Sequence, residues 1–139
     1  MTHTLTLNDE AITFEATEYD AEMISGAVKD LLSAEGFVNI DGEDVRYVLD
    51  GAERVSAGEG MASGETRFND AALEAVKNIH DAKRLLVEVR SDVEVTLTEM
   101  MDAVIAVKDA ADPDADLVWG HVIDENMNGA VKIIVIAVS

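Results

Sequence analysis

The chain has 139 residues, no cysteine, and 29 Asp and Glu against 10 Lys and Arg, for a formal charge of −19. That length suits one domain, able to bury roughly two thirds of the surface its unfolded chain exposes without a covalent staple. Disulfides and thiolate chemistry are excluded, and so negative a field repels phosphate backbones and anionic lipid, so neither nucleic acid nor a membrane is an expected partner.

The acids are spread along the chain rather than gathered in a tail. With few lysines, this is a halophile-like pattern that favours solubility in high salt, while in low salt self-repulsion opposes the fold. No apolar run is long enough to span a membrane, and the first residues are not a basic region ahead of an apolar stretch, so a cytoplasmic location is expected.

Residues 3–17 read as a β-hairpin: Leu5 and Leu7 alternate with threonines, Ile12, Phe14 and Ala16 alternate with polar residues, and Asn8-Asp9-Glu10 lies between. Two strands alone are marginal in water, so the hairpin is expected to dock on the rest and cover apolar surface. Asp20 can cap a helix carrying Met23, Ile24, Ala27, Val28, Leu31 and Leu32, which stops at Gly36. Asn39, Asp41 and Asp44 follow, with Asp41 placed to cap a short helix and Asp44 in its first turn. Val45, Val48 and Leu49 give that helix its buried face, and Asp50-Gly51 ends it.

Arg54 to Ala57 reads as a strand, and Gly58 to Gly64 as a flexible, acidic turn unsuited to phosphate. A helix from Asn69 or Asp70 to Asn78 should bury Ala72, Leu73 and Val76, and Leu85 to Val89 should form an interior strand. Thr96 and Glu99 have capping-box spacing and open a helix with Met100, Met101, Val104, Ile105 and Val107, which has ended by Pro113. Leu117 to Ile123 and Val131 to Val138 read as strands joined by a turn with Asn128-Gly129, a strong hairpin signal. The fold class is therefore α/β, an α+β two-layer sandwich: a mixed four-stranded sheet with helices packed on it, plus the hairpin.

Few other motifs carry chemistry. Asp112, Asp114 and Asp116 imitate the start of a calcium loop, but Leu117 replaces the required glycine and no Glu falls at the twelfth position. His3, His80 and His121 lack ligand spacing, and His121 is expected to pack or face solvent. No metal and no cofactor is expected. Asn39-x-Asp41-x-x-Asp44 has two readings, a capped helix start and an exposed acidic pair able to orient a water or hold a cation.

The ordered segments Gly26-Ala27-Val28-Lys29-Asp30-Leu31-Leu32 and Asn39-Ile40-Asp41-Gly42-Glu43-Asp44-Val45-Arg46 resemble the end of the central helix, the synergy loop and the next helix of the FtsZ cell-division family, in the tubulin/FtsZ superfamily. Ala62-Ser63-Gly64-Glu65-Thr66-Arg67 resembles a later turn of that family, Ala110-Ala111-Asp112-Pro113-Asp114-Ala115 followed by Val118-Trp119-Gly120-His121-Val122-Ile123-Asp124-Glu125 resembles its last helix-to-strand passage, and Val131 to Val138 its closing strand. No Gly-Gly-Gly-Thr-Gly-type phosphate loop occurs, so the resemblance implies a stand-alone C-terminal domain without the GTP-binding domain. Its parts would be an added hairpin (1–19), a central-helix remnant (20–36) and the synergy loop (37–44). Glu35 stands where the family commonly has Pro, and Gly42 where it commonly has Phe.

In that family the synergy loop of one subunit enters the GTP pocket of the next. The resemblance therefore implies an FtsZ or FtsZ-like, GTP-bound partner, bound through Asn39, Ile40, Asp41, Glu43 and Asp44. Asp41 and Asp44 would act on the hydrolytic water only in trans, an effect of the ~10²–10⁴-fold size that a positioned carboxylate supplies. The chain itself would be no enzyme, a monomer or weakly self-associating, and a regulator or capper of filaments. The alternative is a structural, adaptor-binding module or a split half of FtsZ.

Overall fold

The computed structural model describes residues Met1–Ser139. In chain order the elements are β1 (Thr2–Leu7), β2 (Glu10–Glu15), α1 (Glu18–Ser33), α2 (Gly42–Leu49), β3 (Val55–Ala62), α3 (Arg67–Val76), β4 (Arg84–Ser91), α4 (Leu97–Ala111), β5 (Asp116–Ile123) and β6 (Val131–Val138). Four strands form one mixed sheet in the order β3-β6-β4-β5, with β4 and β5 parallel and the other pairs antiparallel. The hairpin β1-β2 is a separate sheet. The expected mixed sheet with helices packed on it, plus a hairpin, is the observed architecture.

Alternation along the strands splits the core in two. Leu85, Val87 and Val89 of β4 and Val131, Ile133, Val135 and Ala137 of β6 point to α3 and α4. Leu86, Ile134, Ile136 and Val138 point the other way, into a second core with Ile24, Val28 and Leu31 of α1, Val45, Val48 and Leu49 of α2, and Leu7, Ile12 and Phe14 of the hairpin. The sandwich thus gains a third layer. The hairpin docks as expected: Gly51 N–H donates to Thr13 O and Glu15 N–H to Ala52 O, both at 2.8 Å, stitching β2 to the end of α2. Its two-residue turn, Asn8 and Asp9, has φ of 50° and 67°, the left-handed region that such turns need and that Asn and Asp tolerate.

Several expectations are corrected. The cap of α1 is Thr17, whose hydroxyl accepts from Asp20 N–H, and the helix ends at Ser33, before Gly36. Gly58 and Gly60 lie inside β3, because the α3 backbone rests directly on that strand and a Cβ at either glycine would collide with the Ala75 or Ala71 carbonyl. Helix α3 starts earlier, at Arg67, and leaves Leu73 outside while burying Phe68, Ala71, Ala72, Ala75 and Val76. On α4, Met101 and Ile105 are exposed. Asn128 and Gly129 do adopt positive φ, yet they close no hairpin, because β4 is inserted between β5 and β6. Gly129 N–H instead donates to the Asp92 carboxylate at 2.9 Å, holding the connection over the end of β4.

Candidate functional site

The segment after α1 is tied to the outer edge of β5. His121 N–H donates to Val38 O at 2.8 Å and Ile123 N–H to Glu35 O at 2.7 Å. His121, only 2% exposed, is the anchor. Its Nδ1 accepts the Phe37 N–H at 3.1 Å, so in the neutral ring Nε2 carries the proton and donates to Ser91 Oγ at 2.7 Å. Ser91 Oγ in turn donates to Asp92 O at 2.9 Å. Burial holds the His121 pKa below the ordinary imidazole value, which favours that neutral state. Gly36 passes so close to His121 that a Cβ there would overlap the His121 carbonyl. His121 therefore packs, one of its two expected fates, and it also orients the loop.

The loop proper turns outward. Asn39, Asp41 and Glu43 are exposed, Ile40 and Asp44 half-buried. Asn39 Nδ2 donates to Gly36 O at 3.2 Å, folding the turn on itself. Asp41 and Asp44 form a reciprocal capping box: Asp41 Oδ1 accepts the Asp44 N–H and Asp44 Oδ2 accepts the Asp41 N–H, both at 3.0 Å. One oxygen of each carboxylate, Asp41 Oδ2 and Asp44 Oδ1, takes no hydrogen bond within the chain. Ile40 packs against Gly120, beside Leu31. Arg46 of α2 pairs with Glu43 at 3.6 Å and with Glu10 of the hairpin. Tyr47 donates to Asp116 at 2.6 Å, which raises the phenol pKa, and Arg84 Nε donates to Val48 O at 3.1 Å, so α2 is fixed to the sheet.

A second charged group lies below α1. Glu88 is fully buried, and its Oε2 accepts from Arg90 Nε at 3.1 Å while its Oε1 has no partner. Burial raises its pKa. Arg90 also pairs with Asp124 at 3.4 Å and with Asp30 of α1, joining helix, sheet and the connection after β5. Sequence reading missed this group. Its signal was an opposite-charge pair two residues apart in an otherwise apolar strand, hence on one buried face. The Asp112–Asp116 stretch is a turn, with Asp112 Oδ1 accepting the Asp114 N–H at 2.9 Å. No three His, Asp or Glu side chains converge to hold a metal ion. No helix is long and apolar enough to cross a membrane.

Fold and loop together define a class: an α/β domain with a mixed sheet that presents a short, capped acidic loop at one end. The model of the FtsZ family, C-terminal domain, matches residues 54–139, and the chain belongs to the FtsZ family. It is 33% identical over 127 residues to cell division protein FtsZ 1 of Rhizobium meliloti, covering 85% of this chain and 22% of that protein. To FtsZ of Magnetospirillum gryphiswaldense it is 31% identical over 117 residues, covering 79% and 21%. The chain thus spans about a fifth of the length of these relatives. An empty FtsZ dimer of M. jannaschii superposes with a TM-score of 0.73 at 28% identity, covering 85% of this chain and 37% of that one. A GTPγS-bound protofilament of CetZ2 from Haloferax volcanii shares the fold, with a TM-score of 0.58 at 20% identity over 88% of this chain and 41% of that one. Residues 54–139 are the C-terminal domain of this family.

Proposed function

We propose that this chain binds an FtsZ-family subunit through the face bearing Asn39–Asp44 and caps or modulates filament assembly, offering Asp41 and Asp44 to the GTP site of its partner. The observation that carries the reading is a loop anchored from behind by His121 yet open in front, with one unbonded oxygen on each of the two carboxylates. The hairpin turn stands beside the loop yet leaves Asn39, Asp41 and Glu43 exposed. A head-to-tail filament needs two different faces on every member. A subunit that offers this loop face without a phosphate-binding one would end a filament rather than extend it. The partner is an FtsZ or FtsZ-like subunit holding GTP, and the chain is a monomer or weakly self-associating.

Sedimentation of FtsZ polymer with and without equimolar protein tests this. Polymer mass should fall, and Asp41→Asn with Asp44→Asn should change GTP turnover in the mixture while leaving the fold intact. Polymer mass and turnover unmoved by the wild-type protein would end the reading. One observation favours the second reading, an adaptor-binding structural module: each of the two acids is already engaged in the capping box of α2. That reading expects binding to a non-FtsZ partner, indifferent to both substitutions.

A further inference from the structure

The hairpin turn stands next to the loop. A Cβ on Gly42 would come within 3.2 Å of Asn8 Nδ2. Thr6, Leu7 and Asn8 of the hairpin, Leu32 of α1, and Ile40, Asp41 and Gly42 line one recess. The lining has two characters. Leu7, Leu32 and Ile40 are apolar, whereas the Asp41 carboxylate and the Asn8 carboxamide are polar, and Asp9, Glu10 and Glu43 stand exposed nearby in sequence. Arg46, the basic residue of this face, is already paired with Glu10 and Glu43.

A site with an apolar wall and an acidic rim fits one side-chain chemistry, a long aliphatic stem ending in a cation. We infer that the recess between the hairpin turn and the loop receives a lysine or arginine side chain of the partner subunit, so that the hairpin is a second reader of the partner and not only a cover for the core. The stem packs on Leu32 and Ile40, and the cation meets the Asp41 carboxylate, one oxygen of which the capping box leaves unbonded. A second copy of this chain is a poor occupant, because it would bring another charge of −19. This inference rests on the reading that the loop face binds an FtsZ-family subunit.

Asn8 allows a test by sign, since Asp, Gly and Asn all tolerate its φ of 50°. Affinity of the whole chain for GTP-bound FtsZ is measured by analytical ultracentrifugation in 0.1 M and 1 M KCl, with circular dichroism confirming the fold of each variant. Asn8→Asp should bind about three- to tenfold tighter than wild type at low salt and Asn8→Gly close to wild type, with the difference collapsing at high salt. Equal affinities across the series, with the wild type binding, would overturn the recess and leave the loop reading standing. No binding by the wild type would overturn both.

Discussion

At the scale of single residues, His121 and Gly36 set where the loop sits. Protonating His121 would turn Nδ1 from acceptor into donor and set it against the Phe37 N–H. The folded pKa is lowered by burial, so the unfolded chain binds the proton more readily. Stability therefore rises with pH through the window below the ordinary value of 6.5 and is lost as pH falls through it. His121→Asn keeps an acceptor near the Nδ1 position but carries no titrating ring. It should cost about 1–2 kcal/mol at pH 7.5, from lost packing and the Ser91 bond, and its denaturant midpoint should fall less than that of wild type between pH 7.5 and 5.5. Parallel pH profiles for the two proteins would show that His121 plays no part. Gly36→Ala acts on the same contact from the other side. Its Cβ would strike the His121 carbonyl, so about 1–3 kcal/mol of destabilisation is expected, with faster amide exchange at His121 and Ile123, whose N–H groups bond the displaced segment.

At the scale of elements, the loop is the start of helix α2, and this separates the structural work of its acids from any chemical work. Asp41→Ala removes one side of the capping box and should cost about 0.5–2 kcal/mol in a urea melt, whereas Asp41→Asn keeps an N-cap acceptor and should stay within a few tenths of wild type. Equal losses for Ala and Asn would mean that the charge, not the hydrogen bond, holds the helix end. This cap was legible in the sequence because it is local: Asp41 and Asp44 are three residues apart, as are Thr96 and Glu99 on α4. The ordered matches around it made the fold legible too. What escaped was contact made across the fold. His121 meets Phe37 across 84 positions, and Arg90 meets Asp30 across 60, so neither left a short-range pattern. The glycines of β3 misled for a related reason. Read locally, Gly58 and Gly60 signal a turn; in the fold they are the smooth patch on which α3 lies. Asn128-Gly129 has true turn geometry, but no local signal could reveal that β4 would be inserted between the strands it joins.

At the scale of the molecule, charge and hairpin decide how firmly the whole holds. With 29 acids and 10 bases, most carboxylates have no cation to pair with, so screening should relieve more repulsion than it weakens surface ion pairs worth at most about 1 kcal/mol each. The urea midpoint should therefore rise between 0.1 M and 1 M KCl. The hairpin poses the sharper question, whether it decorates the domain or belongs to it. Phe14 is 1% exposed and shares one core with α1, α2 and the inner face of the sheet, while β2 bonds to Gly51 and Ala52. If these contacts make one cooperative unit, Phe14→Ala should lower the stability of everything, by about 3–5 kcal/mol for a buried aromatic. Trp119 reports on the far side, since it packs against the core beneath α3 and α4. Unfolding followed by Trp119 fluorescence and by far-ultraviolet circular dichroism should then shift together to a lower midpoint. A Trp119 transition that stays in place would instead mark the hairpin as an independent cover. The loop would then have lost a fixed neighbour, because the same strands that bury Phe14 carry Asn8 to the rim of the recess beside Asp41.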